Sequence, residues 1–138
     1  MKIDGGCHCG FLTYEGEADP ANVGICHCSD CQTLSGTAFR TAVRVMRKDF
    51  RMLSGEPTLY VKTTDRGVRT AQAFCPRCGS QMYATHLGDQ QMFYAVRVGT
   101  TRQRNQLIPQ WQIWTRSRQK WLDELSDIRA AEEQQFDG

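Results

Sequence analysis

Residues 75–79 read Cys75-Pro76-Arg77-Cys78-Gly79, two cysteines separated by two residues and followed by a glycine. This spacing lets both thiolates reach one ion, and the glycine permits the tight turn that follows. The pattern is typical of a zinc knuckle. Because structural zinc is held by four ligands in a tetrahedron, the knuckle requires two more donors from elsewhere in the chain.

Two further cysteine groups can supply those donors, namely Cys7-His8-Cys9 and Cys26-His27-Cys28-Ser29-Asp30-Cys31. If the second group supplied two ligands, one of its own cysteines would be stranded, and Cys7 and Cys9 would hold no metal. If Cys7 and Cys9 complete the knuckle, all seven cysteines are used. The second group then forms a site with three thiolates, and we favour this partition.

The three-thiolate group predicts a metal site with an open coordination position. Catalytic zinc sites have three protein ligands and an exchangeable fourth position. Thiolates are soft donors that favour zinc over harder cations, and three cysteines are one fewer than an iron–sulfur cluster normally uses. The sequence therefore predicts two zinc ions per chain, one structural and one reactive. Loss of the structural ion is expected to unfold the domain.

Two histidines and one aspartate lie inside the cysteine groups. Neighbouring side chains of an extended segment point to opposite faces, so we expect His8 and His27 to face away from the ions and to be partly exposed. Asp30 can act as a base, order a water at the site, or cap a short helix. Of these roles we favour the cap.

The composition is that of one folded domain from a reducing compartment. The chain has 138 residues, a formal net charge of +2 and a mean hydropathy of −0.53. It contains no apolar run near the roughly 20 residues of a membrane-spanning helix, and no signal-peptide-like stretch precedes Cys7. An odd number of clustered cysteines argues against a disulfide framework. We therefore expect a single domain over residues 1–138, a cytoplasmic location and no membrane contact.

Positive charge is concentrated in residues 37–122, and negative charge in residues 1–36 and 123–138. A positive field attracts either nucleic acid or a small ligand that carries carboxylates. The arginines that can provide it include Arg40, Arg44, Arg69, Arg97 and Arg102. Because the chain has no Lys- and Arg-rich block of the nucleic-acid-binding type, we expect a small-molecule partner and no nucleic acid.

The hydrophobic pattern predicts a mainly β fold with mostly antiparallel sheets. Short segments of approximate apolar–polar alternation are separated by turns that contain Gly or Pro. The predicted strands are residues 10–16, 38–45, 58–62, 68–74 and 92–98. Residues 29–34 are expected to form a helical turn. Trp121, Leu122, Leu125 and Ile128 recur at spacings of three and four, which predicts a short C-terminal helix packed on the sheet. Residues 130–138 are expected to be a frayed acidic tail.

The chain resembles the glutathione-dependent formaldehyde-activating enzyme (GFA) family, which also includes centromere protein V. The matching stretches are Gly5-Gly6-Cys7-His8-Cys9-Gly10, residues 26–31 running into Ser35-Gly36, Phe74-Cys75-Pro76-Arg77-Cys78-Gly79-Ser80, and a Trp-rich segment that ends at Trp121. The resemblance implies a β-tent-like fold of antiparallel sheets around zinc sites. It also implies a structural zinc on Cys7, Cys9, Cys75 and Cys78 and a catalytic zinc on Cys26, Cys28 and Cys31.

The resemblance further implies a reaction in which glutathione and formaldehyde give S-(hydroxymethyl)glutathione, which is classed as carbon–sulfur lyase chemistry in the reverse direction. The chain departs from the family after Gly99. Relatives often carry a Leu-Asp-Asp-Pro run there, whereas this chain has Thr100-Thr101-Arg102-Gln103. Substrate choice is therefore the property that the resemblance defines least.

Our functional interpretation is that the open zinc ionises a thiol or polarises a small aldehyde before a carbon–sulfur bond is made or broken. The residues that follow Cys31 are predicted to line the substrate pocket, namely Ser35, Gly36, Thr37 and Phe39. Two other hypotheses are a non-catalytic zinc module that binds a partner, and a zinc- or redox-responsive protein whose thiolates are oxidised.

Overall fold

The computed structural model describes residues 1–134, which contain ten β-strands and one short α-helix. In chain order these are β1 (Lys2–Gly6), β2 (Thr13–Glu17), β3 (Val23–Cys26), α1 (Ser29–Ser35), β4 (Arg40–Met46), β5 (Phe50–Ser54), β6 (Thr58–Thr63), β7 (Arg69–Phe74), β8 (Gln81–His86), β9 (Phe93–Arg97) and β10 (Trp111–Ile113). Short 3-10 helices occur between and after them. The mainly β class predicted from the sequence is confirmed.

The strands form two sheets. The smaller has the order β1-β2-β5, and the larger has the order β10-β3-β4-β9-β8-β7-β6. Within residues 1–134 the paired strands are antiparallel, except that β10 runs parallel to β3. The five predicted strands correspond to β2, β4, β6, β7 and β9, so the expected antiparallel arrangement is confirmed with one exception.

The hydrophobic core lies between the two sheets. Ile3 and Tyr14 from the small sheet are buried with Val43, Val45 and Val96 from the large one. Burial of these side chains supplies most of the driving force that holds the sheets together. Because side chains alternate along a strand, the neighbours of the core residues in the large sheet must point to the opposite face.

The candidate functional residues occupy that opposite face of the large sheet. Cys26 pairs with Arg40 across β3 and β4, and Ala42 pairs with Arg97 across β4 and β9. The even-numbered residues of β4 therefore share a face with Cys26, whereas Val43 points into the core. The sheet thus separates hydrophobic packing on one side from polar chemistry on the other.

Helix α1 confirms the predicted helical turn, although a different residue caps it. Cys28 is the N-cap, and its Sγ accepts a hydrogen bond from the Cys31 N–H at 3.3 Å. The helix ends at Gly36, whose φ of 69° is in the left-handed region that glycine adopts without strain. The predicted capping role of Asp30 is wrong, because its carboxylate instead forms an ion pair with Lys62 of β6.

The predicted C-terminal helix is present as 3-10 turns over Lys120–Asp127, which are interrupted at Glu124. Its apolar face is not buried on the sheet, since Trp121 is 49% and Leu125 is 51% exposed. The predicted acidic tail is irregular over residues 130–134, and residues 135–138 lie outside the described residues. No helix within residues 1–134 has the length and apolar character needed to cross a membrane.

Candidate metal centres and the adjoining cleft

The first cysteine cluster joins the start of the chain to the β7–β8 turn. The Sγ atoms of Cys7, Cys9, Cys75 and Cys78 all lie within 4.8 Å of one another. Cys7 and Cys9 follow β1, and the other two cysteines occupy the turn after β7. Gly79 has a φ of 77°, which explains why a glycine completes this turn. The cluster therefore connects segments more than 60 residues apart.

The second cluster is built by the junction of β3 and α1. Cys26 is the last residue of β3, Cys28 is the N-cap of α1, and Cys31 lies in the first turn of the helix. Their Sγ atoms also lie within 4.8 Å of one another. Cys31 is buried, whereas the other two side chains are partly exposed. A strand that leads directly into a capped helix thus gathers three sulfurs from only six residues.

Both donor sets fit zinc. Four mutually close thiolates match a closed structural site, and three match a site with one open position. Thiolate donors favour zinc over hard cations such as magnesium or calcium. In the described part of the chain, no histidine or carboxylate joins either group. The structure brings together the two sets of cysteines that the sequence predicts, while their roles as zinc ligands stay a prediction.

A positive side chain contacts the three-cysteine cluster directly. Nη2 of Arg40 donates a hydrogen bond to Sγ of Cys31 at 3.0 Å. Hydrogen bonding from Cys26, together with the positive charge of Arg40, lowers the pKa of the Cys31 thiol to about 5. The same interaction with Cys31, together with burial, raises the pKa of Cys26. Arg40 therefore favours negative charge at this cluster.

A second arginine is linked to Arg40 through one amide oxygen. Oε1 of Gln72 accepts hydrogen bonds from Nη1 of Arg40 at 3.0 Å and from Nη2 of Arg97 at 2.9 Å. Arg97 is only 8% exposed, and its Nε has no hydrogen-bond partner. Burial, with repulsion from Arg40, lowers the pKa of Arg97 to about 9, so the guanidinium still carries its charge at neutral pH.

A cleft of about 480 Å³ adjoins this arginine pair, a volume in the usual range for small-molecule sites. It lies between α1, β6, β7 and the ends of β8 and β9. Its walls include Leu34, Tyr60, Gln72, Phe74, Gln81 and Arg97. Gln72 is the link between the cleft and the cluster, because Arg40 donates both to its Oε1 and to Sγ of Cys31.

Comparison with known proteins assigns a family. A sequence model of the glutathione-dependent formaldehyde-activating enzyme family matches residues 2–117, which include both cysteine clusters and every strand. The chain belongs to this family. No curated protein matches the chain at a significant level.

A crystal structure of a Rhodobacter sphaeroides protein has a similar fold. It is 24% identical in sequence, with a TM-score of 0.61, and the alignment covers 78% of this chain and 98% of that chain. At this identity the likeness shows the fold alone. Residues 118–138 of this GFA-family chain lie outside the family match.

The four residues predicted to line the pocket lie away from the cleft. Gly36 and Thr37 border a shallow surface depression beside Trp121. Ser35 closes the helix, where its Oγ donates to the Gln32 carbonyl at 3.4 Å, and the Phe39 ring lies 5.7 Å from the His27 ring. None of the four lines the cleft next to Gln72 and Arg97. Their role in substrate binding stays a prediction.

His27 is more buried than the sequence suggests. Its ring does not join the cysteine cluster, which agrees with expectation, but it is 1% exposed, so the prediction of partial exposure is wrong. Its Nε2 lies 2.8 Å from Oε1 of Gln112 on β10. His8 is exposed, which agrees with the prediction for that residue. His27 therefore helps to join β3 to the neighbouring parallel strand.

Sequence reasoning missed Gln72 and did not separate Arg40 and Arg97 from the other arginines. Arg44 instead stacks on the rings of Phe93 and Trp111, at 4.7 and 5.2 Å from their centroids. One signal for Gln72 was present, because it is a polar residue between two alanines in β7. A buried polar side chain in such a strand requires a partner.

Proposed function

We propose that this protein joins a glutathione-like thiol to a small aldehyde such as formaldehyde, or cleaves the resulting adduct, with one zinc ion at each cysteine cluster. The observation that carries the proposal is the three-cysteine cluster, which Arg40 contacts and links, through Gln72, to a cleft. Family membership supports the reaction class. The four-cysteine cluster has the donor set of a purely structural site.

The reaction is the addition of a thiol to a carbonyl. The thiol sulfur forms a bond to the aldehyde carbon, the carbon–oxygen π bond breaks, and the thiol proton ends on the resulting hydroxyl oxygen. The reverse direction breaks the same carbon–sulfur bond. A zinc ion held by Cys26, Cys28 and Cys31 supplies Lewis acidity, which favours ionisation of the thiol or polarisation of the carbonyl.

The protein's own residues give this site its charge and shape. Arg40 places a cation 3.0 Å from Sγ of Cys31 and so stabilises negative charge in the cluster. Gln72 fixes the orientation of that guanidinium. Apolar side chains such as Leu34 and Phe74 line the cleft and make its walls largely apolar. Seven free thiols suit a reducing compartment, so we also propose a cytoplasmic location.

The test is an exchange measurement on zinc-loaded protein. Glutathione and formaldehyde interconvert with S-(hydroxymethyl)glutathione without a catalyst, so the rate with protein is compared with the uncatalysed rate by exchange NMR. We expect acceleration by the wild type and by Arg44→Met, and none by Cys28→Ser. Protein that holds two zinc ions per chain and binds glutathione but does not change the rate contradicts the proposed reaction.

A further inference from the structure

The cleft contains a buried positive charge without an acidic partner. Arg97 is 8% exposed, and no ion pair between it and an aspartate or glutamate occurs within residues 1–134. Its two hydrogen-bond acceptors, Oε1 of Gln72 and the Ala95 carbonyl, are both neutral. A buried charge is costly unless it is paired, so this arrangement requires an explanation.

The cysteine cluster makes no hydrogen bond to Arg97, although negative charge on Cys31 and Cys26 acts to raise the pKa of its guanidinium. Three thiolates and one divalent zinc ion leave a single net negative charge, and Arg40 balances it through its contact with Cys31. Arg97 contacts Gln72 and not a sulfur. The site with both arginines therefore carries one excess positive charge when the metal is held and no ionised thiol occupies its open position.

Arg97 also has N–H groups that its two hydrogen bonds do not use. A guanidinium carries five N–H groups, and hydrogen bonds to Gln72 and Ala95 use one on each Nη nitrogen. Each Nη retains a second N–H. Arg97 lines the cleft, and it is the one charged residue among the described residues that do so. A ligand with a negative group in this cleft can therefore accept from Arg97 without displacing either existing partner.

We propose that Arg97 is a specificity-determining residue, which selects ligands that carry a carboxylate on a short chain from the sulfur. This inference rests on the proposed function for the thiol part of the ligand, whereas its carboxylate part rests on Arg97 alone. Planar guanidinium and carboxylate groups form strong charge-assisted hydrogen bonds. Gln72 acts as a positioning residue that holds Arg97 beside Arg40.

Three small probes test the inference by NMR titration of zinc-loaded protein at millimolar concentration. They are 3-mercaptopropionate, its neutral amide 3-mercaptopropanamide, and butyrate, in which a methyl replaces the thiol. We expect wild-type protein to bind the acid about tenfold more tightly than the amide, since a charged hydrogen bond is gained. Equal affinities for the acid and the amide overturn the proposal, with no variant needed.

Variants of Arg97 and Arg44 test whether the ligand's carboxylate binds at Arg97. Arg97→Met is expected to bind the acid and the amide within about twofold of each other, while the matched control Arg44→Met keeps the preference, because Arg44 stacks on Phe93 and Trp111 outside the cleft. A preference that persists in Arg97→Met overturns the proposal. Should that variant fail to fold, Arg97→Gln takes its place, since it removes the charge but keeps side-chain N–H donors. An unchanged preference for the acid in Arg97→Gln then overturns the proposal.

Butyrate separates this inference from the proposed function. If butyrate binds in an Arg97-dependent manner and the thiol of 3-mercaptopropionate adds nothing, the carboxylate site is supported and the thiol chemistry is contradicted. If the thiols bind but the carboxylate adds nothing, the proposed function stands and the role of Arg97 is overturned. Absence of binding by both carboxylates also overturns it.

Discussion

Arg40 donates a hydrogen bond to the sulfur of Cys31 across 3.0 Å, which places a guanidinium in contact with one of three clustered thiolates. The other Nη of Arg40 donates to Gln72 at 3.0 Å. The Arg40 side chain thus links the three-cysteine cluster to Gln72, which lines the cleft on the large sheet. Hydrogen bonds to a metal ligand orient it and change its basicity, so this contact has consequences for metal binding.

Arg40→Met is expected to weaken zinc binding at the three-cysteine cluster by about 10–100-fold, the usual effect of removing a partner of a metal ligand. The measurement is the rate at which a chelator removes the first zinc ion per chain. Arg44→Met is the matched control, since it removes an arginine from the same strand without touching a cysteine. Equal rates for the two variants would refute the role of Arg40.

Cys28→Ser and Cys28→Ala should separate metal binding from helix capping. Both remove one thiolate, so each is expected to hold one zinc ion per chain in place of two. Serine preserves the capping contact that Cys28 makes with the Cys31 N–H, whereas alanine loses it. Cys28→Ala should therefore be about 1 kcal/mol less stable to urea than Cys28→Ser. Equal stability of both variants would contradict the capping role.

The cysteine clusters could be predicted from the sequence because spacing alone limits which sulfurs can share an ion. Cys75 and Cys78 are separated by two residues, and the partition that pairs them with Cys7 and Cys9 uses all seven cysteines and keeps the middle group intact. Five strands of the described residues were not predicted, namely β1, β3, β5, β8 and β10, and two of these carry little local signal. β1 ends in two glycines, and β10 has only three residues, which pair in parallel with β3. Their structure depends on distant partners.

The cleft could not be predicted for the same reason. Gln72 meets Arg40 and Arg97 across 32 and 25 positions of sequence, and no local pattern pairs them. The basic character of the middle of the chain was visible, but the sequence did not show which arginines are buried. Only the strand register places Arg40 next to Cys26 and Arg97 next to Ala42.

Cys78→Ser is expected to unfold the domain. Structural zinc contributes about 10–16 kcal/mol in small zinc-finger peptides, which is as large as the typical stability of about 5–15 kcal/mol for a whole domain. The variant should lose strand signal in circular dichroism, and Cys28→Ser should keep it. A folded Cys78→Ser protein with one zinc ion would show that the four-cysteine cluster is not needed for folding.

Gln72→Leu should destabilise the protein by about 1–3 kcal/mol, because it leaves guanidinium donors of Arg40 and Arg97 without their shared acceptor. Arg97→Met should lower the free energy of unfolding less in the Gln72→Leu background than in the wild type, because the hydrogen bond between Arg97 and Gln72 is already lost there. Urea unfolding of the wild type, the two single variants and the double variant measures the coupling energy between Gln72 and Arg97. Gln106→Leu, at an exposed position, is the control. Additive effects would show that the two residues act independently.

Gly24→Ala should disturb the parallel pairing that supports the three-cysteine cluster. A Cβ at Gly24 would lie 2.1 Å from Cζ3 of Trp111, so the indole ring must move. Gly24 and Trp111 are register partners, and the same pairing ends at Cys26 and Ile113. Overpacking of this kind costs about 1–3 kcal/mol, and it should be accompanied by a shift in tryptophan fluorescence.

Gly99→Ala is the matched control for that substitution, because a Cβ there meets no atom within 4 Å. Its stability should change by less than about 0.5 kcal/mol. The two variants are compared by urea unfolding and by zinc content after dialysis against a chelator. Gly24→Ala should lose zinc from the three-cysteine cluster more readily, since Cys26 lies at the end of the displaced strand pair. Identical behaviour of the two variants would show that the contact between Gly24 and Trp111 does not position the cluster.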